Sequence, residues 1–268
     1  MRIFDSARRT TQGARHYQED SAVIWPGGDD QFPPAATHAS DDGEAGAEPY
    51  LYAVLADGMG GHAGGALASR IVCESFVGVC AGQNGPVRER LLSGLAACNS
   101  AIAAKVDENP MLSGMGSTLI GAHFGRDGVE WVSVGDSPLL LYRRGEIALL
   151  NEDHSLAPEL DRLVAAGVMS EEEARHDPRR HMLRSAVTGD EIDLVDISVK
   201  PLRLEPGDYV ILASDGLHTL DNAEIARIVS AYAADGAEAV AAALIRAIDN
   251  LREPHQDNAT VVAVRLLG

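Results

Sequence analysis

The chain carries the stretch LYAVLADGMGGH at residues 51–62, in which six hydrophobic residues run into Asp57 and a glycine-rich turn. A short hydrophobic run bounded by turn residues is typical of a buried β-strand. Two further strand-like runs, at 131–134 and 210–213, lead to Asp136 and Asp215 within two residues. Three predicted strands therefore end at an aspartate.

Two other predicted strands begin beside acidic residues. Glu19 and Asp20 precede the strand-like run at 21–25, and Asp257 precedes the run at 259–266. In antiparallel pairs the end of one strand lies beside the start of the next. We therefore expect all six acidic side chains to collect at a single edge of the sheet.

Such an edge would be crowded with negative charge. Two carboxylates about 4 Å apart repel by roughly 4 kcal/mol at an effective dielectric constant of 20, so the cluster must take up protons or hold cations. Because the set contains no Cys or His, it favours hard divalent ions such as Mg²⁺ or Mn²⁺ over zinc. For any one of these residues an ordinary Asp-Gly turn is a sufficient explanation, and only the coincidence of five aspartates indicates a metal site.

Composition limits the classes of partner and compartment. The 268 residues include 22 Lys and Arg against 40 Asp and Glu, a formal net charge of −18. Nucleic acids and anionic membranes bind basic surfaces, so we expect neither as a partner. The chain shows no secretory signal or membrane-spanning run, and its three cysteines form no closely spaced pair, so we expect a cytoplasmic protein.

Strand-like runs recur along the chain, among them one at 192–199, and helical patterns are grouped apart from them. Asp127-Gly128 and Arg144-Gly145 have the turn chemistry of tight hairpins, which predicts largely antiparallel pairing. The expected helices lie at 65–80, 87–106, 223–234 and 238–251. Helices segregated from strands favour the α+β class.

One domain is expected over residues 1–268, because neither a fixed repeat nor a linker divides the chain. Residues 26–49 are rich in Gly, Pro, Ala and Asp and are expected to form a loop insertion. Residues 155–190 form a polar, locally basic excursion. Its arginines are expected either to meet acidic or phosphorylated peptide or simply to solvate a loop.

The acidic residues lie within motifs that resemble those of a known family. The motifs are GARHYQED (13–20), ADGMGGH (56–62), GSTL (116–119), SVGDS (133–137), DHS (153–155), ASDGL (213–217) and QDNAT (256–260). In this order they resemble the bacterial metal-dependent serine/threonine protein phosphatases of the protein phosphatase 2C family. The resemblance implies two stacked, mostly antiparallel β-sheets flanked by pairs of helices, with residues 155–190 as the flap beside the catalytic cleft.

The resemblance also implies a metal-binding role for each acidic residue. Asp57 would bridge two ions, Mn²⁺ or Mg²⁺, the Gly58 carbonyl would complete one of them, and Asp215 and Asp257 would hold the other. By the same resemblance, Glu19 and Asp20 form the pair that reaches the metals largely through water. Asp136, with Asp215, corresponds to a weaker third site in bacterial members.

Two basic side chains are expected to act on the substrate. Arg15 can grip two phosphate oxygens with its guanidinium fork, although an isolated arginine is usually a surface residue. His62 resembles the general acid that protonates the departing serine or threonine oxygen, a role typically contributing about 10²–10⁴-fold. Gln18 departs from the Asn that the family usually has before its Glu-Asp pair.

The implied function is hydrolysis of phosphoserine and phosphothreonine in proteins by a metal-activated water, without a phospho-enzyme, in a monomer that opposes a bacterial serine/threonine kinase. Two alternatives remain open. One is a phosphatase dedicated to a single partner-switching regulator. The other is a pseudophosphatase that binds phosphopeptide without turnover, against which the retention of Asp57, Asp215 and Asp257 argues.

Overall fold

The computed structural model describes residues 3–25, 50–61 and 63–267. The expected insertion at 26–49 and the residue His62 lie outside this description. In chain order the strands are Phe4–Thr11 (β1), Asp20–Trp25 (β2), Leu51–Met59 (β3), Gly116–Ser117 (β4), Leu119–Gly125 (β5), Gly128–Val134 (β6), Leu139–Arg143 (β7), Glu146–Leu149 (β8), Asp196–Ile197 (β9), Tyr209–Ala213 (β10) and Ala259–Leu266 (β11). The α-helices are Ala63–Gly82 (α1), Val87–Glu108 (α2), Ala157–Ala165 (α3), Glu171–His176 (α4), Asn222–Tyr232 (α5) and Ala237–Leu251 (α6).

The strands form two sheets in which every described pairing is antiparallel. The first sheet has the order β1-β11-β10-β7-β8, and the second has the order β2-β3-β5-β6-β9, with β4 paired to β3. The expected hairpin at Arg144-Gly145 joins β7 to β8, and both turn residues have positive φ, 53° and 90°, as a tight two-residue hairpin requires.

The two sheets stack face to face around a hydrophobic core. Leu55 of β3, Leu212 of β10 and Val262 of β11 meet in this core. Alternate residues of the same strands point outward, where α1 and α2 cover the second sheet and α5 and α6 cover the first. Because both faces of β3 and β10 are covered, these strands read as continuous hydrophobic runs. The predicted α+β sandwich is confirmed.

Two strand predictions need correction. Strand β1 was not expected, because its sequence FDSARRTT has no hydrophobic alternation. In the structure only Phe4 and Ala7 of this strand are buried. It pairs along its whole length with β11, and this pairing holds the segment in the extended conformation. A full strand was expected at 192–199, but only Asp196–Ile197 pairs, with β6.

Helix α1 is long and apolar enough between Gly64 and Gly82 to meet the length and composition of a membrane span. In the structure it packs against β3 and α2, and it buries Val72, Cys73 and Phe76 completely. Its apolar side chains therefore belong to the core of the sandwich.

Candidate active site

The predicted acidic residues converge, although not on the edge of one sheet. Asp20, Asp57 and Asp136 lie at strand ends of the second sheet, whereas Asp215 and Asp257 lie at strand ends of the first. The prediction of a single sheet edge is therefore wrong. Stacking of the two sheets brings the two groups of aspartates together.

The backbone of Asp57 is held between β2 and the segment that follows β4. Asp57 and Asp20 are register partners in β3 and β2, so they lie at the same end of that strand pair. On the other side the Asp57 N–H donates to Thr118 Oγ1 (3.0 Å), and the Asp57 carbonyl accepts from the Thr118 N–H (2.8 Å) and the Ser117 hydroxyl (2.8 Å). The Asp57 carboxyl group is therefore presented from a fixed position.

Ser214 connects the two sheets at the site. Its hydroxyl donates to Oδ2 of Asp20 (2.7 Å) and accepts from the Thr260 N–H (2.9 Å). Ser214 is fully buried, so water does not compete for these hydrogen bonds. Sequence reasoning gave Ser214 no role, and its only signal was its place between a predicted strand and Asp215.

Two glycines allow the start of α1 to approach the acidic residues. A Cβ atom at Gly58 would lie 2.1 Å from the Gly65 carbonyl oxygen, and one at Gly65 would lie 2.5 Å from Oε1 of Glu19. The Gly58 N–H also donates to the Glu19 carbonyl (3.1 Å). Any larger residue would force these segments apart, so glycine at both positions fixes how closely α1 approaches β2 and β3.

Asn258 ties the loop that carries Arg15 to the start of β11. Its Oδ1 accepts from the Glu19 N–H (2.8 Å), and its Nδ2 donates to the carbonyls of Gln12 (2.8 Å) and Tyr17 (3.0 Å). Asn258 belongs to a recognised motif, but sequence reasoning assigned it no function. Its side chain therefore fixes the position of this loop relative to the start of β2 and the start of β11.

The same loop holds the expected phosphate ligand. Arg15 forms an ion pair with Asp257, and both side chains are partly exposed. Gln18 accepts from the Asp20 N–H (2.9 Å) and donates to Thr10 Oγ1 (2.6 Å). The unusual amide at position 18 therefore fixes the first residue of β2.

A cavity of about 790 Å³ lies where the strand ends of the two sheets meet. Its lining includes seven of the nine predicted site residues: Arg15, Glu19, Asp57, Gly58, Asp136, Asp215 and Asp257. Asp20 is buried and is absent from the cavity lining. His62 lies outside the described residues, so its role stays a prediction. The flap contributes residues 181–186 to the same cavity.

Burial raises the pKa values of the carboxyl groups at this edge. Loss of contact with water raises the pKa of Asp20 to about 6 and that of Asp136 to about 7, and the nearby charge of Asp215 adds to both. Burial, followed by the charges of Asp20 and Asp215, raises the pKa of Asp57 well above its ordinary value. Burial and then Asp257 raise the pKa of Asp215. The site therefore favours the arrival of a proton or a cation.

The chemistry of these residues fits divalent metal ions. Among residues 3–25, 50–61 and 63–267, no three Asp, Glu, His or Cys side chains form a compact ready-made ligand set. The donors facing the cavity are carboxylate and carbonyl oxygens, which hard divalent ions prefer. In the described part of the chain, the buried Oδ1 atoms of Asp20 and Asp215 lack hydrogen-bond partners, and a cation can satisfy such atoms.

Comparison with known proteins agrees with this geometry. The family described as Protein phosphatase 2C matches residues 38–249. The chain belongs to the protein phosphatase 2C family. The family resemblance that the motifs implied is thereby confirmed.

Two bacterial proteins are similar to the chain over much of its length. The chain is 37% identical over 164 residues to the serine/threonine protein phosphatase PstP of Mycobacterium tuberculosis, covering 61% of this chain and 31% of that protein. It is 31% identical over 215 residues to the serine/threonine phosphatase stp of Listeria welshimeri, covering 78% of this chain and 76% of that protein. The match to PstP thus spans less than a third of that protein's length.

Solved structures of a bacterial serine/threonine phosphatase share the fold. The crystal structure of Mycobacterium tuberculosis PstP/Ppp superposes with a TM-score of 0.75 at 29% identity, covering 99% of this chain and 100% of that one. The catalytic domain of PstP has also been solved in complex with 2 manganese ions, with a TM-score of 0.73, 28% identity and 99% coverage of each chain.

Proposed function

We propose that this protein phosphatase 2C family member hydrolyses phosphoserine and phosphothreonine in proteins with the help of divalent metal ions. The observation that carries this function is the convergence of carboxyl groups from five separated motifs on one cavity. A phosphate dianion would be repelled from such a cavity unless cations were bound there. Membership of the family and homology to named serine/threonine phosphatases support the same reaction.

The residues that would hold the metal ions follow the family resemblance. Asp57 would bridge two ions, the Gly58 carbonyl would complete one, and Asp215 and Asp257 would hold the other. When bound, divalent ions supply positive charge for the phosphoryl group and lower the pKa of water so that it can act as a nucleophile. We propose Mn²⁺ or Mg²⁺, and the manganese ions in the PstP catalytic domain support this choice.

The remaining acidic residues would support the metal centre. Glu19 and Asp20 would reach the ions largely through water, and Asp136 with Asp215 would form a weaker third site. The hydroxyl of Ser214 holds one oxygen of Asp20 and leaves the other buried and without a hydrogen bond among the described residues. The Asp20 carboxyl group thus keeps a fixed orientation.

Two residues would act directly on the phosphoester. The Arg15 guanidinium lies at the cavity beside Asp257, where its fork can bind two phosphoryl oxygens and orient the phosphorus toward the nucleophile. His62 follows the glycine-rich turn after β3, and we propose that it donates a proton to the departing serine or threonine oxygen.

A metal-dependence assay tests this function. We expect Mn²⁺ or Mg²⁺ to support hydrolysis of p-nitrophenyl phosphate and of a phosphothreonine peptide, and we expect EDTA to abolish both activities. Peptide binding is measured in parallel with phosphate release. Tight binding of the phosphopeptide with no phosphate release at saturating Mn²⁺ would contradict the enzyme and favour the pseudophosphatase.

We propose that the substrates are proteins phosphorylated by a bacterial serine/threonine kinase, that the protein is monomeric, and that it works in the cytoplasm. The free, buried thiols of Cys73, Cys80 and Cys98 support a reducing compartment.

A further inference from the structure

We propose that Arg184, in the flap, binds an acidic side chain beside the phosphorylated residue of the substrate and so makes the enzyme favour acidic phosphopeptides. This inference rests on the proposed phosphatase function. Arg184 is exposed and lines the same cavity as Asp57 and Asp215. It lies outside the sequence motifs that carry the predicted metal and phosphate ligands.

The flap holds Arg184 at a fixed place relative to the acidic edge. The Arg184 N–H donates to the His154 carbonyl (2.8 Å), and the His154 N–H donates to the Gly135 carbonyl (3.1 Å). The Gly135 N–H in turn donates to Nδ1 of His154 (3.2 Å). Because Gly135 directly precedes Asp136, these bonds connect the backbone of Arg184 to the site itself.

The segments on both sides of Arg184 are also anchored. Ser155 and Leu183 form a β-bridge, and Val187 bridges to Ser117 beside Asp57. The segment that carries Arg184 is therefore hydrogen-bonded to the core. A substrate that enters the cavity meets an arginine side chain whose backbone is already held in place.

The ion pairs of the flap leave Arg184 available for a ligand. Arg179 pairs with Asp177, and Arg180 pairs with Asp161. In the described part of the chain, Arg184 takes part in no ion pair. Arg162 and Arg175 are exposed as well, but they do not line the cavity.

The charges around the cavity point to an acidic side chain as the occupant. Arg15, the other arginine of the cavity, is engaged with Asp257 in the acidic cluster where the phosphoryl group is proposed to bind. The acidic residues Asp190, Glu191 and Asp193 also line the cavity and would repel any substrate carboxylate placed beside them. His181 also lines this wall, but Arg184 is the flap residue of the cavity that carries a permanent positive charge, so it is where a substrate carboxylate finds a complementary charge.

Phosphothreonine peptides that carry one Glu or one Lys at each flanking position test this proposal. With wild-type enzyme and saturating Mn²⁺ we expect kcat/KM to favour Glu over Lys by about two- to fivefold at one or two positions, the size of an exposed ion pair. Arg184→Gln should remove this preference, and Arg184→Glu should reverse it.

Arg162→Glu is the matched control, because it makes the same charge change on the flap outside the cavity. It should retain the wild-type preference, and thermal unfolding confirms that each variant is folded. A Glu-to-Lys ratio that stays at the wild-type value in folded Arg184→Gln would overturn the proposal. So would a uniform loss on all substrates, p-nitrophenyl phosphate included, with the ratio unchanged, since the guanidinium would then bind the phosphoryl group.

These results separate the two levels of inference. If wild-type enzyme hydrolyses no phosphopeptide and no p-nitrophenyl phosphate with Mn²⁺, the proposed function fails and Arg184 has no substrate to select. If it hydrolyses the peptides without distinguishing Glu from Lys at any position, the phosphatase function stands and only the role of Arg184 is overturned.

Discussion

At the residue scale, the carboxyl group of Asp57 lies in an environment that destabilises the folded protein. Its carboxyl group lies among like charges in a cavity from which water is partly excluded, and its pKa is raised accordingly. The neighbouring Asp215 also keeps a buried oxygen without a hydrogen bond among the described residues. Groups of this kind are destabilising by themselves, and they cluster where a site must bind charge.

Replacing Asp57 by asparagine should therefore affect activity and stability in opposite directions. We expect Asp57→Asn to lower kcat/KM with Mn²⁺ by at least about 10²-fold, since it removes a charged group that the metal centre needs. Its melting temperature without metal should equal or exceed that of the wild type, because a repelled carboxylate becomes a neutral amide. Phosphatase kinetics and calorimetry measure the two effects.

Asp127→Asn provides the control for this change. Asp127 is exposed in the hairpin between β5 and β6, and asparagine before Gly128 suits that turn. Both activity and melting temperature should stay close to wild type. A folded Asp57→Asn enzyme with wild-type activity would contradict the bridging role.

His123 is a second buried titratable residue, remote from the proposed chemistry. Its ring packs against Tyr50 and Tyr52, with centroid distances of 5.9 Å and 5.0 Å. Burial, aided by the charge of Arg90, lowers its pKa to about 4. In the unfolded chain the pKa of His123 is about 6.5, the ordinary value for histidine.

The pKa of His123 predicts a loss of stability in acid. Above about pH 6.5 neither state binds the proton, but between about pH 6.5 and 4 the unfolded chain binds it and the folded protein does not. The contribution of uncharged His123 to the free energy of unfolding is therefore fully present at neutral pH. It falls by up to about 3 kcal/mol as the pH drops through this window.

His123→Gln isolates this contribution. Melting temperatures of wild type and variant are compared across the window, and we expect the wild-type advantage to shrink toward acid. The exposed His255→Gln serves as the control and should follow the wild-type curve. Parallel curves for wild type and His123→Gln would contradict a titrating buried histidine.

At the scale of elements, the position of α1 on the second sheet depends on Gly121 in β5. A Cβ atom at Gly121 would lie 2.1 Å from Cζ of Phe76, which α1 buries completely. Because α1 begins at the turn after Asp57 and packs Gly65 against Gly58, a displaced helix would also disturb the site.

Gly121→Ala should therefore destabilise the protein by about 1–3 kcal/mol, as overpacked cores do. Adding Phe76→Leu should recover part of that loss, which a double-mutant cycle in urea measures as a coupling energy. Gly78→Ala is the matched control, because a Cβ atom there meets nothing within 4 Å. In the exposed interior of α1 this change should stabilise by about 0.5–1 kcal/mol. Additive effects of Gly121→Ala and Phe76→Leu would show that the predicted contact is absent.

At the scale of the whole molecule, two sheets carry the acidic site between them. A chain with a net charge of −18 concentrates like charges at one end of its sandwich, held by links such as Ser214 to Asp20. Any cation that binds there opposes the separation of the two sheets. Metal binding and folding stability should therefore be coupled.

Addition of Mn²⁺ should raise the free energy of unfolding by about 2.7 kcal/mol at a concentration 100 times the dissociation constant. Thermal unfolding during a Mn²⁺ titration measures this effect, and EDTA should reverse it. NaCl at matched ionic strength controls for screening and should give a much smaller shift. A Mn²⁺ shift that persists in Asp57→Asn would place the ion elsewhere.

The sequence by itself determined the fold class and named seven of the residues that line the candidate site. Residues 51–62 could be interpreted directly, because a fully buried strand that ends at Asp57 leaves a local hydrophobic pattern and a glycine-rich turn. The hairpin at Arg144-Gly145 was equally local. Strand β1 has no such pattern, because its order comes from pairing with β11, a segment at the other end of the chain.

Only the tertiary structure decided how the acidic residues meet. Local patterns place Asp57 and Asp215 at strand ends, but they carry no information on which sheet each strand joins. The stacking of two sheets brings these ends to one cavity, and the links through Ser214 and Asn258 are contacts between segments separated by up to 246 residues. Such contacts arise from packing of the whole chain, so no short window of sequence can reveal them.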